Sequence, residues 1–171
     1  MIFAVAGDID PEQMLAAVRK QFGAAPAGRV FSHDIAAEPP VAAPRTVVAT
    51  FPALGQARLK LAFPTIHYLS PDLFAMDLLA MVLGGGDSSL LVEEIRDKKQ
   101  LASEISVTSN TPTYADGNLH IVLQLDPAKL GAATDAVLEE LEKIKSGEID
   151  ENRIARAKAL VRANRVRQMQ T

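Results

Sequence analysis

The stretch that decides the fold runs from Leu73 to Leu91 and reads LFAMDLLAMVLGGGDSSLL. Apolar side chains cover most of the circumference of a helix over residues 73–83, which predicts a deeply buried helix. Three glycines, residues 84–86, end this helix. The next three residues, 87–89, offer side-chain caps for a second helix that reaches about Gln100. The stretch therefore predicts two consecutive helices joined by a short glycine connector.

Strand patterns flank these helices on both sides. Before them, residues 46–51 are β-branched and apolar, and residues 57–63 alternate between apolar and polar side chains. After them, residues 104–108 and 119–125 alternate in the same way, with a turn at Asp116-Gly117. Two further helices follow. The order ββαα-ββαα predicts an α+β fold, a two-layer sandwich whose mainly antiparallel sheet is covered on one face by helices.

The chain divides into three predicted segments. Residues 1–23 contain a strand, Ile2–Ala6, and a helix capped by Asp10. Residues 24–45 form a proline-rich linker. Residues 46–171 form the main domain, which stops inside the pattern of its last helix. We therefore expect the chain to be part of a longer protein.

The composition is that of a globular domain and excludes several classes of protein. Of the 171 residues, 48% are apolar and 23% are charged, which rules out a wholly disordered or fibrous chain. The formal net charge of −3 provides no overall attraction to nucleic acid. Because there is no cysteine, disulfides, thiolate metal ligands and cysteine nucleophiles are excluded. No apolar run is long enough to span a membrane, and no signal-peptide pattern is visible.

No residues carry the spacing of a catalytic or metal site. His33, His67 and His120 match neither H-E-x-x-H nor H-x-x-E-H, so we interpret them as three unrelated histidines and predict no metal ligand. Ser88 and Ser89 follow the glycines, but the helix that begins there favours a capping role over a nucleophilic one. We therefore predict no catalytic residue and no bound cofactor in this chain.

Three other patterns allow a binding role beside a plain structural one. The glycines could hold an anion or lie close to a peptide, but they follow a helix and lack the lysine of a phosphate loop. A helix end is therefore favoured. The last helix is basic from Arg153 to Arg167, and a solvent-facing or partner-facing helix is favoured over nucleic-acid binding because no aromatic residue interleaves it. Arg96 lies in a charge cluster, where spacing alone favours a surface salt bridge over contact with a peptide.

The glycine stretch and its continuation resemble a known family. Leu83–Leu91, followed by EIRDKKQLA at residues 94–102, is similar to the L-G-G-G-x-S-S-R-L and R-x-K-x-x-L-A-Y motifs of the pitrilysin/insulinase-type zinc metallopeptidases. The mitochondrial processing peptidases belong to the same family. Ala4–Asp10 resembles an entry segment of the same module, and Gly147–Asp150 together with Ala157–Leu160 resembles the segment near its end. The resemblance thus spans essentially the whole chain.

The resemblance implies a non-catalytic role and the fold of a metallopeptidase half-domain. The family's zinc motif, H-x-x-E-H, lies in an upstream half-domain, whereas this chain is similar to the downstream half, often called the inactive domain. In the family this half closes a chamber around an unfolded peptide. Arg96 matches an arginine that contacts substrate, and Gly84, Gly85 and Gly86 match a loop that guides it. Ser103 stands where the family has a substrate-contacting tyrosine.

Expectations for the whole protein follow from this resemblance. We expect a zinc metalloendopeptidase acting on unfolded peptides, with zinc in a catalytic half on the same chain or on a partner subunit. A catalytically dead scaffold or core subunit is the alternative, favoured by Ser103 and Leu90, which depart from the family pattern. No nucleic-acid or membrane partner is expected, and a dimer is left open. A bacterial periplasm or cytoplasm is favoured over an extracellular location.

Overall fold

The structure is a computed structural model that describes residues 3–26, 28, 36, 39, 41–51 and 53–169. The chain divides into two compact units, Met1–Ala36 and Ala37–Thr171. The first unit contains helix α1, Pro11–Phe22. This helix begins as predicted, because the Asp10 carboxylate accepts hydrogen bonds from the backbone amides of Glu12 and Gln13 at 2.9 and 3.1 Å.

The strand predicted for Ile2–Ala6 is not formed over its described residues, 3–6. Instead, the Phe3 ring packs on the Phe22 ring of α1, with 4.4 Å between the ring centroids. A strand requires a hydrogen-bonded neighbour, and no described residue of the first unit forms one. The prediction of a buried strand is therefore wrong, since residues 3–6 are exposed as well as irregular.

Three antiparallel strands form the sheet of the second unit: β1 (Ala57–Pro64), β2 (Glu104–Asn110) and β3 (Asn118–Leu125). Their order is β1-β3-β2, so β3 is the central strand. The register places Leu123 of β3 opposite Leu59 of β1 and opposite Ile105 of β2. These apolar side chains point to one face of the sheet, and the polar residues that alternate with them point to the other.

Helices cover the apolar face. They are α2 (Leu73–Gly84), a π-helical segment (Val92–Lys98), α3 (Leu130–Lys145) after a 3₁₀ turn (Pro127–Lys129), and α4 (Glu151–Gln168). The buried core joins β3 to these helices and includes Leu83, Leu91, Ile95, Ile121, Leu123 and Val137. The predicted α+β class, an antiparallel sheet with helices on one face, is confirmed.

The first predicted strand of the sheet is wrong, because residues 46–51 are not a strand. Val47 is 93% exposed and Val48 is 83% exposed. A turn does follow, with the Leu54 amide donating to the Phe51 carbonyl at 3.0 Å, but no hairpin with β1 forms. Consecutive apolar residues are typical of a strand that is covered on both faces, and the described residues supply no such cover here. The observed order is βαα-ββαα.

Helix α2 is buried over one side and one end only, which corrects the prediction of a deeply buried helix. Ala80, Val82 and Leu83 are buried, whereas Phe74 in the first turn is 80% exposed. The buried side contacts β2 and α4. Apolar residues therefore lie on two sides of this helix. The described residues cover one side and leave the other exposed.

Candidate functional site

The glycine segment, Gly84–Ser89, leads from the end of α2 to the next helical turn. Gly84 is the last residue of α2, and a Cβ there would lie 2.5 Å from Cγ2 of Val107 on β2. Gly86 has φ +109°, a conformation that side chains other than glycine's rarely adopt. Gly84 is thus required by its close packing against β2, and Gly86 is required by its backbone conformation.

The predicted capping of the second helix is wrong. Helical backbone begins at Leu90, but the side chains of Asp87, Ser88 and Ser89 accept no hydrogen bond from its free amides. The Asp87 carboxylate is used elsewhere, by Arg96. The Ser89 side chain is buried, and its hydroxyl has no hydrogen-bond partner among the described residues.

Arg96 joins the π-helical segment to the glycine segment. Its Nη1 donates to Oδ1 of Asp87 at 3.0 Å, and its Nε donates to Oδ1 of Asp97 at 2.8 Å. These two carboxylates raise the pKa of Arg96; the hydrogen bond that Arg96 donates to Asp97 is the larger cause and the one that it donates to Asp87 is the second. A guanidinium has five N–H donors, and a third binds Asp97 Oδ2 at 3.4 Å, so two remain. The group is a fixed, permanently charged donor at the surface.

Ser103 is placed differently from the other predicted contact residues. Its hydroxyl donates to the backbone carbonyl of Gln124 at 3.0 Å, and its own amide donates to the same carbonyl at 2.8 Å. The side chain therefore extends the pairing between the start of β2 and the end of β3. The hydrogen bond between Arg96 and Asp87 brings Arg96 close to Gly84–Gly86. Ser103, in contrast, is hydrogen-bonded within the sheet.

Residue spacing in the sequence did not predict the two ion pairs that hold this site together. Asp87 and Arg96 are nine residues apart, which is not a helical contact distance, and their pairing depends on the path of the glycine segment. Arg153 of α4 pairs with Glu93 at 2.6 Å over a separation of 60 residues. Only the fold could reveal these two pairs, although the clustering of charges around Arg96 was visible in the sequence.

The described histidines do not form a metal centre. The Nδ1 atom of His67 accepts a hydrogen bond from the Leu69 amide at 3.1 Å, and His120 lies on the polar face of β3; His33 is outside the described residues. Over residues 53–169 and the described part of 3–51, no group of three or more His, Cys, Asp or Glu could hold a metal ion. The donor set therefore does not fit zinc.

A buried carboxylate on α3 has a structural explanation. Glu140 is 5% exposed, and its Oε1 accepts a hydrogen bond from Nζ of Lys143 at 2.9 Å. Lys143 also contacts Glu139 at 3.2 Å. The two carboxylates raise the pKa of Lys143, with Glu140 the larger cause. Glu139 also accepts a hydrogen bond from Nζ of Lys99 at 3.3 Å, so two lysines balance the two carboxylates and the cluster needs no ligand.

His120 should make the stability of the chain depend on pH. Burial lowers its pKa from the usual value of 6.5, and the charge of Lys60 acts in the same direction. Between the lowered pKa and about 6.5 the unfolded state binds a proton that the folded state does not, so stability should fall as the pH drops through this window. We expect urea midpoints at pH 5–8 to show a smaller acid loss for His120→Gln than for the unsubstituted chain. Parallel curves would contradict this assignment.

Comparison with known proteins identifies the class. The chain matches the family described as "Peptidase M16 inactive domain" over residues 1–161, and it belongs to that family. It is 30% identical over 168 residues to an uncharacterized zinc protease of Streptomyces coelicolor, covering 92% of this chain and 35% of the relative. A Mycobacterium leprae protein of the same description is 29% identical, with 95% and 36% covered. The chain thus spans about a third of the length of these relatives.

Solved structures agree with this assignment. A protease from Helicobacter pylori has the same fold, with a TM-score of 0.81 at 23% identity, covering 96% of this chain and 40% of that one. A peptidase M16 inactive domain from Pseudomonas fluorescens matches with a TM-score of 0.54 at 27% identity, covering 65% and 27%. The resemblance to the non-catalytic half of the zinc metallopeptidases is confirmed. None of the helices over the described ranges is long and apolar enough to cross a membrane.

Proposed function

We propose that this chain is the non-catalytic half of a peptide-binding chamber in a larger zinc protease. The single observation that carries the proposal is the one-sided sheet. Helices cover its apolar face, and in the described part of the chain the other face displays polar side chains such as Arg58, Lys60, Ser106 and Gln124. A polar face with unpaired donors and acceptors suits a surface that lines a wet cavity and contacts peptide backbone.

Arg96 supplies the proposed contact with the peptide. Its guanidinium is oriented by Asp87 and Asp97 and keeps two N–H donors for peptide carbonyl or carboxylate oxygens. Zinc and its ligands belong, in this proposal, to the catalytic half, which is the partner of this chain whether on the same polypeptide or on another subunit. The relatives named as zinc proteases support this division, since each is about three times as long as the matched segment.

Arg96→Ala tests the proposed contact in the full-length protein. We expect kcat/KM for unfolded peptides to fall about tenfold, because a charge-assisted hydrogen bond to substrate is lost. The thermal unfolding midpoint should stay nearly unchanged, since surface ion pairs contribute little to stability. Lys98→Ala is the matched control, because Lys98 lies in the same segment and, among the described residues, pairs only with Glu94. Equal activities of all three proteins would refute the assigned contact.

The non-catalytic assignment has its own test. The isolated chain, incubated with zinc and unfolded peptides, should release no fragments detectable by mass spectrometry, because its described residues offer no metal site. Robust hydrolysis that a chelator abolishes would refute the assignment.

A catalytically dead scaffold is the second candidate function. The observation in its favour is Ser103, whose hydroxyl is used within the sheet where the family has a substrate-contacting tyrosine. The coding sequence upstream of this chain decides between the candidates. An intact H-x-x-E-H motif there supports the protease, and its loss supports the scaffold.

A further inference from the structure

The turn at the tip of the glycine segment is held from two sides. Residues 86–89 form this turn, which is closed by a hydrogen bond of 3.1 Å from its last amide to its first carbonyl. Its two central residues are Asp87 and Ser88. The Asp87 carboxylate accepts a hydrogen bond from Nη1 of Arg96 at 3.0 Å, and the Ser88 carbonyl accepts one from Nη1 of Arg153 at 3.4 Å. Two arginines thus hold neighbouring residues of the same turn.

The contact between Asp87 and Arg96 is too exposed to hold the turn by itself. The Asp87 side chain is 93% exposed, and in the described part of the chain it accepts a single hydrogen bond from Arg96. A surface ion pair of this kind contributes little to stability, because water and salt screen the two charges. Other contacts of the turn therefore determine where this pair forms.

The contact with Arg153 is better shielded from water. The Arg153 side chain is 15% exposed, and its Nη2 donates to Oε2 of Glu93 at 2.6 Å. The guanidinium of Arg153 therefore joins α4 to the π-helical segment and to the turn. Because a guanidinium presents its donors in a rigid planar fork, the bond from Nη2 to Glu93 determines where Nη1 meets the Ser88 carbonyl.

We propose that Arg153 is a positioning residue for Arg96. Glu93 orients the Arg153 guanidinium, which holds the Ser88 carbonyl. Asp87, the preceding residue, is thereby placed where its carboxylate meets Nη1 of Arg96. The effect on activity rests on the proposed contact of Arg96 with peptide, whereas the orientation of Arg96 can be measured in this chain alone.

Rotation of the Arg96 guanidinium about its Nε–Cζ bond reports its orientation and can be measured by NMR. In the unsubstituted chain this rotation should be slow, because Nη1 is hydrogen-bonded to Asp87 and Nη2 to Asp97. Arg153→Gln should speed the rotation about threefold to tenfold, the change expected when one hydrogen bond is lost. Asp87→Ala removes that bond directly and should give the same rate. Arg162→Gln, at an exposed position of α4, is the control and should leave the rate unchanged.

Arg153→Lys separates positioning from stability. A lysine keeps a positive charge beside Glu93, so the thermal unfolding midpoint should stay nearly unchanged, but it lacks the second arm that reaches Ser88. The Arg96 guanidinium should therefore rotate as fast as in Arg153→Gln. A rotation rate equal to that of the unsubstituted chain in either Arg153 variant would overturn the inference.

The activity of the full-length protein tests whether this positioning matters for peptides. Arg153→Gln should lower kcat/KM about threefold to tenfold, up to the loss expected for Arg96→Ala. In a protein that already carries Arg96→Ala, it should lower kcat/KM by no more than about twofold, because residues that act as a unit give non-additive losses. No loss in Arg153→Gln, or losses that multiply, would overturn the positioning role. If Arg96→Ala itself leaves kcat/KM unchanged, the peptide contact is refuted, and the rotation rates alone decide whether Arg153 positions Arg96.

Discussion

Leu123→Ala should lower the free energy of unfolding by about 2–5 kcal/mol. Leu123 is fully buried on the central strand β3, between Leu59 of β1 and Ile105 of β2. Hydrogen bonds to strands on both sides hold the backbone here, so the site cannot collapse around the missing atoms and a cavity should remain. Urea denaturation should show a lower midpoint with an unchanged m-value.

Gln124→Ala is the matched control for this prediction. Gln124 is the next residue of β3 and is exposed on the polar face of the sheet. Its replacement should change the free energy of unfolding by no more than about 0.5 kcal/mol. Comparable losses for the two variants would mean that the assigned core face of the sheet is wrong.

Gly84→Ala should also destabilise the chain, by about 1–3 kcal/mol. A Cβ at this position would lie 2.5 Å from Val107 Cγ2 and 2.8 Å from the Val107 backbone nitrogen. The side chain of Val107 can rotate, but the backbone of β2 cannot move without disturbing its pairing with β3. This loss should outweigh the gain of at most about 1 kcal/mol that alanine usually brings to a helix. Thermal and urea unfolding would both report it.

Gly131→Ala in α3 separates packing from helix propensity. An added Cβ there meets nothing within 4 Å. Alanine should therefore stabilise the chain by about 0.4–1 kcal/mol, the opposite sign from Gly84→Ala. Two destabilised variants would point to a backbone effect common to both helices, and two stabilised variants would contradict the close contact with Val107.

The parts of the fold that could be predicted from sequence are those with a strong local signal. The alternation in residues 57–63 and 119–125 predicted β1 and β3, and Asp10, Asp126 and Asp150 each accept a hydrogen bond from a free amide at the start of a helical segment. The two-layer architecture followed from the polar face of the strands. Local chemistry is sufficient at these positions because the residues that determine the structure are neighbours in sequence.

The parts that failed depend on distant partners. Residues 46–51 have strand-like composition, but composition does not supply a neighbouring strand or a second covering layer. Ser88 and Ser89 have good capping side chains, yet the π-helical backbone that follows does not use them. The Asp87–Arg96 and Glu93–Arg153 pairs depend on how the glycine segment turns. The resemblance to a family pointed to Arg96, but not to the carboxylates that orient it.

The strand order β1-β3-β2 determines when β1 can form its hydrogen bonds during synthesis. Among the described residues, β1 and β2 are made before β3 and are not neighbours; each pairs there only with β3, which begins 54 residues after β1 ends. Synthesis at about 5–20 residues per second leaves the nascent β1 unpaired for several seconds. Throughout that interval Arg58 and Lys60 are the charged residues within β1, and such charges hinder another nascent chain from adding to an open edge.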